Sequence, residues 1–251
     1  MLLTGNHLFA QVVPVGFIKS MALPSTPIIT NNLLFNLDAA NTSSYSSGTG
    51  NVWNDLSGSN NIKFYSSSSY SVDASPTYST DGGGSLVTTG IFGKSINNSG
   101  ISGSVARYME AWVKFNSVAA NAVISIGQAT GGKLFELMAL ANPTSNVIEH
   151  YWGAYTQSST VLATNTWYNI VIVYDGTSKH YIYINGVQVG FTDTPTTINT
   201  TNTPIYIGTT AATTNWGAFN GKIAVLRIYK DALTSSDVTT NFNALKTRFG
   251  L

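Results

Sequence analysis

The chain of 251 residues contains no cysteine. Disulfide bonds and thiolate metal sites are therefore excluded, and the stability of the fold has to come from its core. A domain of this length can meet that requirement, because it buries roughly three quarters of the surface that its unfolded chain exposes. The absence of cysteine also fits a protein that is made in a reducing cytosol and works outside a cell.

Charged residues are scarce as well, at 9% of the chain, and the formal net charge is only +1. Electrostatic binding of nucleic acid requires clustered lysine and arginine. The nearest approach to such a cluster is Lys222, Arg227 and Lys230, which suits the outer face of one strand. We therefore expect no nucleic-acid partner. Hydroxyl and amide side chains dominate instead, as on surfaces that meet sugars or assemble with neighbours.

No apolar run reaches the roughly 18 residues that a membrane-spanning helix needs, so no membrane insertion is expected. Residues 1–30 are predicted to form an extended arm, because Pro14, Pro24 and Pro27 forbid a continuous helix. Two interpretations of the arm stay open: a passive leader, or an apolar strap that docks on a neighbouring subunit. Residues 31–251 are predicted to form one domain.

The most informative pattern in the chain runs from Trp167 to Gly190. Apolar side chains fall on both faces from Trp167 to Tyr174, which predicts a strand covered on both sides. Asn185-Gly186 then separates two alternating runs. This dipeptide predicts a hairpin with a type I′ turn, because both central positions of such a turn require positive φ.

Further strands are predicted at regular intervals, with turn residues between them. They begin at Leu33 and continue at Ser85–Val87, Tyr108–Phe115, Ala122–Ile126, Leu134–Ala141, Val147–Trp152, Ser159–Leu162, Pro204–Gly208 and Gly221–Tyr229. This spacing predicts an all-β fold, a two-sheet antiparallel sandwich. In the strand at Tyr108, Met109 and Ala111 should share one face, while Glu110 and Trp112 share the other.

One short helix is predicted near the C-terminus. Thr234 suits its N-cap, and Asp237 stands three residues later, in the capping-box position. Val238, Phe242 and Leu245 form one apolar stripe, with which the helix should pack on the sandwich.

Five motifs follow one another along this pattern. They are A-W-V-K-F from Ala111, W-Y-N-I-V-I-V-Y-D-G from Trp167, Y-I-Y-I-N-G-V-Q-V-G from Tyr181, I-Y-I-G-T from Ile205 and F-N-G-K-I-A-V-L-R-I-Y-K-D-A-L-T from Phe219. As a series they resemble the core motifs of laminin-G-like, concanavalin A-like jelly-roll domains, over about Leu33 to Leu245. The resemblance implies a jelly roll with a binding function.

Three other motifs resemble a narrower group, the jelly-roll proteins that tailed bacteriophages and other large viruses carry on the virion surface or tail. They are L-L-F-N-L-D-A-A-N from Leu33, W-N-D-L-S-G from Trp53 and N-F-N-A-L-K-T-R-F-G-L from Asn241. The resemblance implies a non-enzymatic virion protein, a capsid decoration or tail adhesion module with weak glycan binding. Its partners would be other virion proteins, or a second copy held through the arm or the C-terminal R-F-G-L tail. The alternatives are a calcium-dependent lectin-like domain at a cell surface or secreted, and thirdly a glycoside hydrolase.

Catalytic patterns are missing from the sequence. Glycoside hydrolysis needs two carboxylates that flank the scissile bond, and none of Glu110, Glu136 and Glu149 has a second carboxylate two residues away. Each is expected on the solvent face of a strand, and a pair of Glu136 with Glu149 across strands is the alternative. The histidines, which lie in the arm and in two strands without a triad context, are His7, His150 and His180. The chain is therefore predicted not to be an enzyme.

Sugar binding requires an exposed aromatic ring with amide and hydroxyl groups around it. The sequence places such rings at Trp216, beside Asn215, and at Trp152 and Tyr155 before a Thr/Gln/Ser loop. These four residues are the predicted ligand contacts. Trp112 or Trp167, by contrast, should anchor the interior.

A metal site is left unassigned by the sequence. Calcium is the cation that the oxygen-rich loops favour. Asp38, Asp81 and Asp193 lie where strands pass into loops, but they form no compact acidic motif. Turn formation is the interpretation that the sequence favours for them.

Overall fold

The computed structural model describes residues 27–46, 50–141, 146–150, 154–193, 198–211 and 218–251. Within these residues sixteen strands and one α-helix are defined. The strands are β1 (Leu33–Asp38), β2 (Val52–Trp53), β3 (Ile62–Tyr65), β4 (Thr77–Ser79), β5 (Ser85–Val87), β6 (Phe92–Asn98), β7 (Arg107–Phe115), β8 (Asn121–Gly127), β9 (Leu134–Leu140), β10 (Asn146–His150), β11 (Tyr155–Val161), β12 (Trp167–Tyr174), β13 (Lys179–Ile184), β14 (Val187–Asp193), β15 (Pro204–Ile207) and β16 (Gly221–Tyr229).

The strands form two antiparallel sheets of eight, which confirms the predicted sandwich. Sheet A has the order β14-β13-β12-β7-β16-β5-β4, and β1 pairs with β16 beside β5. Sheet B has the order β11-β10-β9-β8-β15-β6-β3-β2.

The main core lies between the two sheets. Met109, Ala111, Val113 and Phe115 of β7 all point into it, as the alternation predicts. Strand β12 is buried at all eight positions, so both of its faces are covered. Its inner face meets sheet B, and its outer face lies under the C-terminal helix.

The predicted hairpin is confirmed. Asn185 and Gly186 join β13 to β14 with φ values of 51° and 77°. Both residues are therefore left-handed, as a type I′ turn requires.

The C-terminal helix α1 (Ser235–Leu245) begins with the predicted capping box. The hydroxyl of Thr234 accepts a hydrogen bond from the backbone of Asp237, whose carboxylate accepts one in return from the backbone of Thr234. The helix packs on the outer face of sheet A through its apolar stripe. In the described part of the chain, no helix has the length and apolarity that a bilayer crossing demands.

A 3-10 turn (Lys246–Phe249) follows the helix and completes the cover. The ring of Phe249 stacks on Trp112 at 4.1 Å and lies 4.9 Å from Trp167. Trp112 is fully buried, but it lies beneath this C-terminal segment rather than between the sheets. The guanidinium of Arg248 binds both carboxylate oxygens of Asp38 at 2.8 and 2.9 Å. The R-F-G-L tail, which we predicted to bind a partner, thus packs on its own domain.

Residues 27–30 of the predicted arm lie against helix α1. The backbone of Ile29 donates a hydrogen bond to Asn241 and accepts one from the hydroxyl of Tyr229. Residues 1–26 lie outside the described residues, and the docking of the arm on a neighbour stays a prediction.

Candidate functional site

A pocket of about 360 Å³ opens on the outer face of sheet A, where the N-terminus of α1 meets the edge of the sheet. Strands β12 to β14 form its floor, and the start of α1 forms one wall. The lining residues are Val173, Asp175, Tyr181, Tyr183, Gln188, Ala232, Leu233, Thr234 and Ser235.

Two tyrosines of β13 give the pocket its aromatic surface. The two-residue period of the strand sends Ile182 into the core and leaves Tyr181 and Tyr183 on the outer face. The ring of Tyr181 lies 5.2 Å from that of Phe191, which is its partner across β14 and is 51% exposed. The two rings are tilted by 38° to each other, and together they extend the apolar surface from the pocket to the sheet edge.

Tyr183 lines the pocket although only 5% of the residue is exposed. Burial, and to a smaller extent the neighbouring Tyr181, raise the pKa of Tyr183, so the hydroxyl stays protonated. A tyrosine combines a large apolar ring with a hydroxyl that can hydrogen bond, and Tyr183 therefore brings both kinds of group to the pocket.

Other polar groups surround the tyrosines. The amide of Gln188, opposite Tyr183 on β14, is exposed. Thr234 and Ser235 are exposed at the start of α1, where the first turn leaves backbone N–H groups without partners in the helix. The pocket therefore offers amide and hydroxyl groups beside aromatic rings.

Asp175 supplies a negative charge at the pocket wall. One carboxylate oxygen accepts hydrogen bonds from the backbones of Thr177, Ser178 and Lys179 at 2.7 to 3.0 Å, and the other accepts one from the hydroxyl of Thr177. Partial burial favours the protonated form, but these hydrogen bonds outweigh it and lower the pKa of Asp175. The carboxylate is therefore fixed in place and ionised at neutral pH.

Of the four ligand contacts predicted from the sequence, Tyr155 alone is among the described residues. Trp216, Asn215 and Trp152 are outside the described residues, so their role stays a prediction. Tyr155 is the first residue of β11 and is 54% exposed, on the outer face of sheet B. It therefore lies on the opposite side of the sandwich from the pocket.

The prediction that the three glutamates lie on solvent faces is wrong, because Glu110, Glu136 and Glu149 are all fully buried. Glu110 does point away from the main core, but the C-terminal segment covers that face of sheet A. Four side chains donate hydrogen bonds to its carboxylate at 2.9 to 3.3 Å. They are Tyr108, Trp112, Asn169 and Arg227.

Glu136 and Glu149 do not form the alternative carboxylate pair. Glu149 is opposite Leu137 in the register of β9 and β10, so it points into the sandwich, whereas Glu136 points out of it. The Nδ1 atom of His180 in β13 lies 2.8 Å from Glu149, so the partner of this carboxylate is a histidine of the opposite sheet. Burial raises the pKa of Glu149, against the opposing effects of His180 and Arg107.

The aspartates considered for calcium have protein partners. Asp38 binds Arg248, Asp193 accepts a hydrogen bond from Ser178 at 2.8 Å, and Asp81 lies between Lys114 and Lys222 at 3.0 and 2.8 Å. Across the described ranges, no group of three or more His, Asp or Glu side chains is arranged to hold a metal ion. These aspartates therefore stabilise the fold, and calcium stays a prediction.

Replacing Asp81 by asparagine is expected to lower the free energy of unfolding by about 1–2 kcal/mol at pH 7. Burial alone would raise the pKa of Asp81, but hydrogen bonds from Lys222, Trp167 and Lys114 outweigh it and hold the pKa well below its usual range. The stabilisation is therefore complete above the unfolded pKa of about 3.9 and is lost as the pH falls towards the folded value. Urea unfolding at pH 7 and pH 2 measures this difference.

The difference in free energy of unfolding between the wild type and Asp81→Asn should be smaller at pH 2 than at pH 7. The matched control is Asp73→Asn, which disrupts the exposed ion pair with Lys63 and should change stability by less than about 1 kcal/mol. If this difference in free energy is the same at both pH values, the ionised Asp81 carboxylate does not have the stabilising role described.

Comparison with known proteins identifies the family to which this fold belongs. Residues 81–239 match the sequence profile of the laminin-G-type family described as "Concanavalin A-like lectin/glucanases superfamily". Comparison with curated protein sequences gives no match.

Solved structures with the same fold include domain 4 of AbnA, an extracellular arabinanase from Geobacillus stearothermophilus, in complex with arabinotriose. It is 17% identical, with a TM-score of 0.62, over 83% of this chain and 97% of that domain. The binding domain of Paraclostridial Mosquitocidal Protein 1 is 15% identical, with a TM-score of 0.61, over 85% of this chain and 52% of that one. Trypanosoma rangeli sialidase is 13% identical, with a TM-score of 0.60, over 90% of this chain and 36% of that one. The chain thus spans about half of the second protein and about a third of the sialidase.

Proposed function

The chain belongs to the concanavalin A-like lectin/glucanase superfamily, and on that premise we propose that it binds glycans in the Tyr181–Tyr183 pocket without cleaving them. The observation that carries the proposal is the pair of tyrosines, Tyr181 and Tyr183, in the lining of the pocket, with the amide of Gln188 and the hydroxyl of Ser235 in the same lining. A sugar ring would pack on the tyrosines, and its hydroxyl groups would form hydrogen bonds with the polar side chains.

The rest of the pocket suits the same ligand. A pyranose ring has apolar faces and a rim of hydroxyl groups, so it needs an aromatic surface with donors and acceptors around it. Tyr181 and Phe191 supply the surface, and Gln188, Ser235 and Asp175 supply the polar groups. The arabinotriose complex of AbnA domain 4 supports sugar as the ligand class for this fold.

A binding role is favoured over hydrolysis by the positions of the carboxylates. The two acids of a glycosidase stand about 5–9.5 Å apart with room for substrate between them. Among the described residues that line the pocket, Asp175 is the only one with a carboxylate, and it is held by the turn that follows β12. Glu110 is buried under α1 with four donors around it.

Tyr181→Ala is expected to weaken glycan binding about tenfold, because an aromatic contact contributes about 1–1.5 kcal/mol. Tyr183→Phe removes only the hydroxyl and should weaken binding about fivefold to tenfold. Titration calorimetry with the best ligand from a glycan array measures both variants, and thermal unfolding checks that they fold.

The control is Tyr155→Ala, which removes an exposed ring of the sequence-predicted site on the opposite face. It should leave the affinity unchanged. If Tyr155→Ala abolishes binding and the two pocket variants do not, the ligand site is the one predicted from the sequence. If no variant changes the affinity, the pocket is not the site.

The location on a virion surface, as a capsid decoration or tail adhesion module, is a further part of this proposal. It rests on the motifs at Leu33, Trp53 and Asn241 that resemble virion jelly rolls. A cell-surface or secreted lectin-like domain, with calcium as cofactor, remains the alternative. In both cases the domain would act on extracellular glycans.

A further inference from the structure

We infer that the Tyr181–Tyr183 pocket selects uncharged sugars and excludes glycans whose sugars carry a carboxylate, such as sialic and uronic acids. The inference rests on the proposed function and concerns the ligand class of the same site. It follows from the charges around the pocket, where Asp175 is part of the lining and none of the described lining residues is a lysine or an arginine.

The Asp175 carboxylate is held in one orientation, so its side chain cannot rotate away from a ligand. Its carboxylate is anchored by three backbone N–H groups and one hydroxyl of the turn at Thr177–Lys179. The oxygen that accepts the three backbone hydrogen bonds is saturated, but the other accepts only one, from the hydroxyl of Thr177, and keeps acceptor capacity for a hydroxyl group of a neutral sugar. A ligand carboxylate offers only acceptors, so it would be repelled and would leave this position unpaired.

The cation nearest in sequence does not offset this charge. Lys179 lies on the same face of β13, but its partner across the ladder is Asp193. The Asp193 carboxylate accepts a hydrogen bond from Ser178 and stays beside Lys179. The outer face at this end of β13 and β14 therefore carries one lysine against the two aspartates Asp175 and Asp193.

The helix N-terminus does not offset the charge either. An uncapped helix N-terminus attracts anions through its partial positive charge. Here Asp237 accepts hydrogen bonds from the backbone and the hydroxyl of Thr234 at 2.9 and 2.7 Å. The Asp237 carboxylate thus already places a negative charge beside the first turn, which offsets the partial positive charge that would attract a ligand anion.

The test compares ligands that differ in charge alone. Suitable probes are oligogalacturonides against their methyl esters, and sialyllactose against its methyl ester, each titrated at low and at high ionic strength. The neutral member should bind at least about tenfold more tightly at low salt, and the ratio should shrink when salt shortens the screening length.

Asp175→Asn is the matched variant, because its amide oxygen can still accept the three backbone hydrogen bonds of the turn. It should bring the ratio within about threefold of unity. The ratio is the readout, because a change in hydrogen bonding to the sugar hydroxyls affects both members of a pair. Thermal unfolding of Asp175→Asn checks that the turn is kept.

Three results would overturn the inference. If both members of each pair bind equally and Tyr181→Ala abolishes both, the proposed function stands and the charge selection is wrong. If the preference persists in Asp175→Asn, the selection has another source. If no probe or array glycan binds in a way that Tyr181→Ala or Tyr183→Phe weakens, the proposed function fails, and the inference fails with it.

Discussion

Replacing Glu110 by alanine is expected to lower the free energy of unfolding by about 3–5 kcal/mol. Its carboxylate lies 3.3 Å from the guanidinium of Arg227, which is 3% exposed, so the substitution leaves a buried positive charge without its counterion. The donors on Trp112, Asn169 and Tyr108 lose their acceptor at the same time. When one partner is removed from a buried network, the loss in free energy of unfolding is larger than the net stabilisation from the whole network. The reason is that the remaining polar groups stay buried without their partner.

Urea unfolding of three variants measures this effect. Glu110→Gln keeps an acceptor oxygen for Trp112 and Asn169 and loses the charge, so it should cost less than Glu110→Ala. Asp73→Ala breaks an exposed ion pair, in which Asp73 and Lys63 are 54% and 37% exposed, and should cost less than about 1 kcal/mol. If Glu110→Ala is no more destabilising than Asp73→Ala, the buried network is not a major source of stability.

The error over Glu110 shows what a strand pattern can and cannot predict. The two-residue period correctly placed Glu110 and Trp112 on the face of β7 that points away from sheet B. Exposure of that face depends on a segment more than a hundred residues later in the chain. The pattern within one strand carries no information about such a cover.

Features fixed by short-range chemistry were predicted correctly. The Asn185-Gly186 turn and the Thr234–Asp237 capping box each depend on backbone geometry within four residues. Strands β3 and β6 were missed, because β3 has only four residues and β6 is rich in Gly, Lys, Ser and Asn. Their strand conformation comes from pairing with each other and with β15, which is a long-range effect.

The candidate site was only partly accessible from the sequence. Tyr181 and Tyr183 belong to the run that predicts the hairpin, and their shared face follows from the two-residue period. The pocket also needs the start of α1, about fifty residues later, to stand against that face. The exposed-ring criterion favoured Trp216 and Tyr155 instead, since it looks for aromatic residues near loops and overlooks rings on a sheet face.

Phe249→Ala is expected to lower the free energy of unfolding by about 3–4 kcal/mol, the cost of deleting a buried phenyl ring. This ring fills the space between Trp112 and Trp167, at 4.1 and 4.9 Å from the two indoles. Gly82 shows how closely the site is packed: it has a φ of 64°, and a Cβ there would lie 2.8 Å from both Phe249 and Trp167.

Two measurements on the same samples of Phe249→Ala should detect the loss of stability and of packing around the ring. Urea unfolding gives the change in free energy, and tryptophan fluorescence should shift to longer wavelength in the folded variant, because Trp112 and Trp167 become accessible to water. Phe191→Ala deletes the same group at a position that is 51% exposed, so it should cost less than about 1 kcal/mol and leave the fluorescence unchanged. Equal losses in the two variants, or an unshifted spectrum in Phe249→Ala, would mean that the C-terminal segment does not seal the outer face of sheet A.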